Sequence, residues 1–318
     1  MINRHLKLIA GNANPQLSEE ISSELATEIC DARVERFGDG EIRVHILETV
    51  RGADVFVLQP TCPPVNDNLM ELLIIIDALR RASARRVVAV MPYYGYARQD
   101  RKHTGRVPIS ARLVANMIET AGADRVLTMD LHIGQIQGFF NIPVDNLRAD
   151  FIFAEYMRSV VGDMEDVVIV APDTGATGRA RLLAESVDAP LAVLEKRRSL
   201  DSLDVKVFNV IGDVEGKRAV LVDDIVASGG TLVKAAEILL ETGATEISAY
   251  CTHGVFSGDA VSVLEASPLK RVVVTNTITN QCALQSDKID YVSVGGHLAK
   301  TIRQVFEDRS VSLLFPHY

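Results

Sequence analysis

Short runs of β-branched and aliphatic residues recur along this chain, and stretches with helical periodicity separate them. Candidate strands fall at Lys7–Ala10, Asp54–Leu58, Arg86–Met91, Arg125–Met129, Val167–Ala171, Leu191–Leu194, Arg218–Val222, Glu246–Tyr250 and Arg271–Thr275. Between two of them, Ile109, Leu113, Met117 and Ala121 stand at helical spacing. Alternating strands and helices leave few solutions, chiefly parallel sheets with helices on both faces. The chain has 318 residues, more than one hydrophobic core usually organises. The pattern therefore predicts an α/β protein of two domains, 1–148 and 149–318, the last helix free to pack back on the first. The segment Asn68–Leu79 is apolar almost all round, which predicts burial on several sides, against a second domain or a subunit.

A weak internal repeat also points to two domains. Residues Ala121–His132 align without gaps on Thr242–His253. Each copy reads as a helix end, a glycine at the cap, a strand and a histidine just past it. The pattern predicts one α/β unit used twice; His253, the counterpart of His132, is assigned no role.

The formal net charge is −9. An acidic chain is a poor general binder of nucleic acid, whose affinity comes mostly from phosphate neutralisation. The longest aliphatic run, Leu72–Ile76, is too short to span a bilayer, and the residues after Met1 lack the apolar stretch of a signal peptide. Cys30, Cys62, Cys251 and Cys282 lie far apart with no CxxC pair, so they read as reduced, packed thiols. Together these features predict a soluble cytoplasmic protein.

The segment Val220–Thr231, VLVDDIVASGGT, carries the strongest chemical signal. A buried strand runs into two carboxylates, then a small-residue loop, then a helix. Ser228, Gly229, Gly230 and Thr231 sit where helix amides lack partners and the macrodipole is positive, a site for an anion. Glycine lets a phosphate approach the backbone. Asp223 and Asp224 at the rim can accept hydrogen bonds from vicinal sugar hydroxyls. The combination suits a sugar phosphate.

This loop resembles the phosphoribosyl-diphosphate loop of type I phosphoribosyltransferases and of their relative, ribose-phosphate diphosphokinase of class I. Phe37–Glu41 (FGDGE), Val65–Leu73 (VNDNLMELL), Pro92–Lys102 (PYYGYARQDRK), Met129–Phe140 (MDLHIGQIQGFF) and Lys196–Arg198 (KRR) are similar to the diphosphokinase. The likeness spans nearly the whole chain. It implies two tandem phosphoribosyltransferase-like domains that transfer diphosphate from ATP to the 1-hydroxyl of ribose 5-phosphate. By the resemblance, Phe37 stacks on adenine, and Asp39, Gly40 and Glu41 meet base or ribose; alone, FGDGE reads as a hairpin turn. Arg98 and Gln99 meet the polyphosphate. His132 and Asp173 hold Mg²⁺. Lys196 and Arg198, read as a basic flap before the polar Ser199–Asp204, do the electrostatic part of catalysis. Asp223, Asp224, Ala227 and Ser228–Thr231, with Arg198, take ribose 5-phosphate.

The resemblance also implies a hexamer activated by phosphate and inhibited by ADP, with a regulatory site drawn from Arg51, Ser83, Gln137, Asp145, Asn146, Ser310, Ser312 and Phe315 of neighbouring subunits. The tail Ser310–Phe315 reads equally well as packing on its own domain. The chain departs from the family pattern in three places. Ala227 replaces a common Asp, Ala176 replaces the second of two glycines, and Asn276 replaces a frequent Asp. A non-catalytic regulatory relative or a base phosphoribosyltransferase is the rival reading. The retained Lys196, Arg198 and FGDGE weigh against the first, and the full N-terminal domain against the second.

Overall fold

A computed structural model describes residues 5–198 and 206–314. The chain divides into two compact units, 1–147 with 293–318, and 148–292. The first unit is built on five parallel strands, β1 (Leu6–Ala10), β4 (Asp54–Leu58), β5 (Arg86–Met91), β6 (Arg125–Met129) and β7 (Val144–Leu147), in that spatial order. Between β1 and β4 come helix α1 (Pro15–Leu25) and an antiparallel hairpin, β2 (Ala32–Arg36) and β3 (Ile42–Ile46), which forms a sheet of its own. Helices α2 (Val65–Arg81) and α3 (Ser110–Ala121) make the later crossovers.

Every residue of β4 is buried, as a central parallel strand covered on both faces requires. Leu72, Ile75, Ile76 and Leu79 of α2 are fully buried in the same core. Each such side chain contributes about 1.5–3 kcal/mol relative to exposure. The outer side of α2 is less covered than its composition predicts, with Met70 exposed and Leu73 and Ile74 half-buried. Helix α1 starts at Pro15, and the Asn14 side chain caps it by accepting from the Leu17 amide at 3.2 Å.

The second unit has seven strands in the order β10 (Lys206–Ile211), β9 (Leu191–Arg198), β8 (Val167–Ala171), β11 (Arg218–Val226), β12 (Glu246–Gly254), β13 (Arg271–Thr275) and β14 (Ile289–Val292). Only β10 runs antiparallel to its neighbour. Helices α4 (Asp150–Val160), α5 (Thr177–Val187), α6 (Gly230–Glu241) and α7 (Ala260–Glu265) flank the sheet.

The second unit stops at Val292 rather than at the chain end. The last helix, α8 (Gly295–Phe306), belongs to the first unit. Arg86 fixes it there, donating to the Val305 carbonyl at 2.9 Å, to Asp54 at 3.0 Å and to Asp308 at 3.2 Å.

The two units share one element order from β1 and from β8: strand, helix, three strands, helix, strand, helix, strand, 3-10 turn, strand. This order matches β5 with β12 and β6 with β13. The sequence alignment of Ala121–His132 on Thr242–His253 therefore sets β6 against β12, one strand–helix step out of register. Helix end, glycine and strand recur at every crossover, so a short match can slip by a whole step. His253 is a buried residue whose Nδ1 lies 2.9 Å from Thr277 Oγ1.

Candidate active site

The chain adds β9 and β10 on one side of β8, and β11 to β14 on the other. Such a reversal opens a crevice beyond the carboxyl ends of the two central strands, where open α/β sheets bind ligands. Asp173 follows β8 closely, and β11 carries both Asp223 and Asp224. The strand runs to Val226, four residues past its predicted end, because Ile225 and Val226 keep pairing with His253 and Gly254 of β12.

Asp224 is buried and Asp223 half-buried. The Asp224 amide donates to Asp223 Oδ1 at 2.8 Å. Burial, and then the neighbouring Asp224 charge, push the Asp223 carboxyl up to about 8. Arg179 of α5 opposes that shift. Its Nη1 lies 3.6 Å from Asp223 Oδ1 and 3.5 Å from Asp224 Oδ1. Sequence reasoning missed Arg179, since an arginine in a helix between Gly178 and Ala180 carries no signal of its own.

The turn after β11 is held from the next strand's loop. The Val255 amide donates to the Val226 carbonyl, and the Ser257 amide to the Ala227 carbonyl, each at 3.0 Å. Gly229 has φ +79°, a left-handed conformation that favours glycine. Helix α6 then starts at Gly230 with no side chain capping it, which leaves its first amides for an anion. Ser228, Gly230 and Thr231 are exposed there.

Asp173 is exposed, and its Oδ1 accepts from the Gly175 amide at 2.8 Å and the Ala176 amide at 3.0 Å. Ala176 has φ −82° and ψ −7°, open to any residue, so the missing second glycine costs no backbone strain. Lys196 and Arg198 stand in β9, which was predicted to end at Leu194. It continues to Arg198 because β10 pairs with it antiparallel, from Ile211 opposite Val193 to Lys206 opposite Arg198. The basic triplet therefore rides on a two-stranded ribbon; Ser199–Asp204, the rest of the expected flap, lies outside the described residues.

In the first unit, residues 37–41 close the β2–β3 hairpin. The Phe37 amide donates to the Glu41 carbonyl at 2.8 Å, and the Glu41 amide to Asp39 Oδ1 at 3.1 Å. Phe37 is 49% exposed, with the Arg43 guanidinium carbon 5.7 Å from its ring centre. The loop after β5 exposes Arg98 and Gln99; Gln99 Oε1 accepts from Ser110 Oγ at 2.7 Å. His132 is half-buried just past β6. His132 and Asp173 thus come from different units. Among the described residues no group of three or more His, Cys, Asp or Glu could hold a metal.

The expected regulatory residues of the first unit have local partners. Arg51 precedes Gly52, whose amide donates to the Ser83 carbonyl at 2.9 Å. Asp145 pairs with Arg125 at 2.5 and 3.0 Å, and Asn146 Oδ1 accepts from the Leu131 amide at 3.0 Å. Gln137 donates to the Gly134 carbonyl at 3.0 Å. The Ser310 and Ser312 hydroxyls lie 2.6 Å apart. Phe315 lies outside the described residues.

Repeated strand–helix units, paired acids ending a central strand and a glycine turn opening a helix define a protein of the phosphoribosyl-binding α/β class. Residues 6–122 match the N-terminal domain of ribose phosphate pyrophosphokinase, and 199–316 the phosphoribosyl synthetase-associated domain. The chain is 55% identical over 311 residues to a ribose-phosphate pyrophosphokinase of Caldanaerobacter subterraneus subsp. tengcongensis, covering 98% of each. It is 51% identical to that of Bacillus caldolyticus, again over 98% of both. The solved phosphoribosylpyrophosphate synthetase of Mycobacterium smegmatis superposes with a TM-score of 0.90 at 44% identity, over 96% of this chain and 99% of that one. The chain belongs to the ribose-phosphate pyrophosphokinase family.

Proposed function

We propose that the crevice beyond β8 and β11 holds ribose 5-phosphate while the chain carries out its family's reaction. The diphosphate of ATP passes to the 1-hydroxyl of ribose 5-phosphate, giving 5-phosphoribosyl 1-diphosphate and AMP. The observation that carries this is the pairing of two acids on one strand end with the uncapped start of α6. Asp223 and Asp224 accept from the ribose hydroxyls, and Ser228–Thr231 with the Ala227 turn cradle the 5-phosphate.

The reaction is an in-line attack by the 1-hydroxyl oxygen on the β-phosphorus. A new P–O bond forms there as the bond from the β-phosphorus to the α,β-bridging oxygen breaks. Positioning and charge stabilisation dominate such a transfer. Lys196 and Arg198 neutralise charge on the leaving oxygen, and Arg198 also meets the sugar phosphate. Phe37 stacks on adenine, Asp39, Gly40 and Glu41 meet base or ribose, and Arg98 and Gln99 hold the polyphosphate.

His132 and Asp173 would hold Mg²⁺, which would supply positive charge against the substrate phosphates. The donor set fits that ion. A carboxylate and an imidazole, with no group of three or more metal-ligating side chains among the described residues, suit a cation that keeps its waters and binds mainly through substrate phosphates. We also assign to this chain a cytoplasmic location, a hexameric assembly, activation by phosphate, and inhibition by ADP at the set Arg51, Ser83, Gln137, Asp145, Asn146, Ser310, Ser312 and Phe315. Among the described residues no helix is long and apolar enough to cross a membrane.

Release of AMP from ATP that depends on ribose 5-phosphate tests the reading. AMP formation without the sugar phosphate, or none with it, would overturn it.

A further inference from the structure

Glu71 of α2 is a charged residue only 2% exposed, and no role proposed above uses it. Its Oε1 accepts from the Asn12 amide at 2.6 Å and from Gln59 Nε2 at 2.8 Å. Its Oε2 accepts from Asn12 Nδ2 at 2.9 Å. All three partners are donors, so only an acceptor on both oxygens satisfies them. The second hydrogen of Asn12 Nδ2 goes to the Val34 carbonyl at 3.0 Å. Val34 lies on β2, three residues before Phe37. A continuous polar path therefore runs from α2 through Asn12 to the hairpin bearing Phe37, Asp39 and Glu41.

That hairpin needs a tether. It pairs with no strand of the five-stranded sheet; Ala32, Val34, Val44 and Ile46 pack on the core, since a two-stranded hairpin alone is marginal in water, and polar contacts set its position further. An ion pair between it and α2 joins Arg36 and Asp67 at 3.0 Å, with both side chains more than two-fifths exposed, where solvent and salt screen it. The Glu71 end of the path is buried, with Asn12 and its bond to Val34 at the surface. It is also closely fitted: a Cβ at Gly11 would come 2.2 Å from Gln59 Oε1, and Gln59 Oε1 itself accepts from the Ala13 amide at 3.1 Å. In element order this site lies past β1 and β4, the counterparts of β8 and β11. Where the second unit leaves an uncapped helix start for an anion, the first supplies its own carboxylate.

We propose that Glu71 is a positioning residue for the nucleotide half of the reaction, acting through Asn12 to fix the β2–β3 hairpin. The inference rests on reading that hairpin as a nucleotide contact. Glu71→Gln tests it with almost no change of shape. An amide at position 71 offers one acceptor and one NH₂, so its nitrogen confronts Asn12 Nδ2 donor to donor. Turning the Asn12 amide over relieves that clash but sets its oxygen against the Val34 carbonyl. Either arrangement breaks the path at one joint. Asn12→Ala removes the same joint without touching the buried acid, and stands in if Glu71→Gln does not fold.

The experiment measures Michaelis constants for both substrates together with hydrogen exchange of residues 32–46 in the full chain. The expected result is a rise of roughly tenfold in the constant for ATP, the scale of one lost hydrogen bond to a charged group. The constant for ribose 5-phosphate stays unchanged, and the hairpin amides exchange faster. Equal rises for both substrates, or hairpin exchange that matches the wild type, would overturn the inference. A wild-type protein that releases no AMP sinks the catalytic reading instead. Direct ATP binding and the exchange data then decide the tether: weaker binding with faster hairpin exchange supports it, and unchanged binding overturns it.

Discussion

Asp223 and Asp224 show how a single strand end trades stability for chemistry. Burial and the Asp224 charge hold the Asp223 carboxyl up to about 8, against an ordinary value of 3.8. Below pH ~4 this carboxyl is protonated in both folded and unfolded chains and makes no difference. As pH rises from there toward 8 the unfolded chain releases the proton first, so stability is lost across that window. Asp223→Asn keeps the shape and removes the titration. The variant should melt above the wild type, with the gap widening from pH ~4 to ~8, while ribose 5-phosphate binds more weakly to an amide with one acceptor fewer. Thermal unfolding across that range checks it, and a gap constant with pH would refute the burial argument. At position 227 the trade runs the other way. Ala227 is half-buried, its carbonyl held by Ser257, so the turn survives without the carboxylate common in the family. An Asp there would add a charge-assisted acceptor worth ~1.5–3 kcal/mol, against repulsion from two neighbouring acids that Arg179 partly neutralises. Ala227→Asp should tighten ribose 5-phosphate binding about tenfold or more with little change for ATP. Titration of ribose 5-phosphate at saturating Mg·ATP decides it, and unchanged or weaker binding would show that another group already does this work.

Among the elements, nine strands were legible; all but the edge strand β1 are interior, and parallel strands covered on both faces read as continuous apolar runs. The strands that were not legible are β2, β3, β7, β10 and β14, and each lies at a sheet edge or outside the main sheets. Their residues alternate with charge, as in Ala32–Arg36 and Ile42–Ile46, and such short polar runs look like loop. The same blindness cut β9 short. Glu195-Lys-Arg-Arg198 carries no β signal of its own, and only its pairing with β10 extends the strand. The paired acids and glycine turn were legible in sequence because their neighbours are consecutive, whereas Arg179 and Glu71 act across the fold on residues far away in the chain. The ribbon changes how Lys196 and Arg198 are expected to work. Pairing with β10 sets their backbone register, Lys196 opposite Phe208 and Arg198 opposite Lys206. Lys196→Ala and Arg198→Ala should each cut turnover by ~10³-fold or more, the scale of a cation that stabilises a phosphoryl-transfer transition state, with far smaller effects on ATP binding. Steady-state kinetics beside equilibrium ATP titration separates the two. Turnover within a few-fold of the wild type would remove both residues from the mechanism.

At the scale of the whole molecule, the chain uses one strand–helix plan twice and then returns to its first unit. The return was only half legible: α8 is strongly amphipathic, but nothing in its own residues says which unit it covers. Arg86 supplies the answer through space, reaching Asp54 in β4 and both Val305 and Asp308 at the end of α8. This anchor separates folding from regulation in the last residues. The Arg86 contacts that hold α8 lie before Ser310, as do Asp308 and the Arg309–Glu307 pair at 3.1 Å. Beyond it, Val311–Leu314 form one 3-10 turn, and the Ser310 and Ser312 hydroxyls meet each other at 2.6 Å, bonds that water can replace at little cost. Removing residues after Arg309 should therefore leave the melting temperature and basal turnover nearly intact. If the tail contributes Ser310, Ser312 and Phe315 to an ADP site shared between subunits, the same truncation abolishes ADP inhibition at saturating ATP. Saturating ATP matters, because ADP competing at the active site would inhibit full-length and shortened proteins alike. Inhibition curves for the two proteins at several ADP concentrations, with sedimentation to follow assembly, give the answer. Full inhibition retained by the shortened chain places the effector site elsewhere. Inhibition and assembly lost together make the tail an assembly element, and inhibition lost from an intact oligomer makes it part of the effector site.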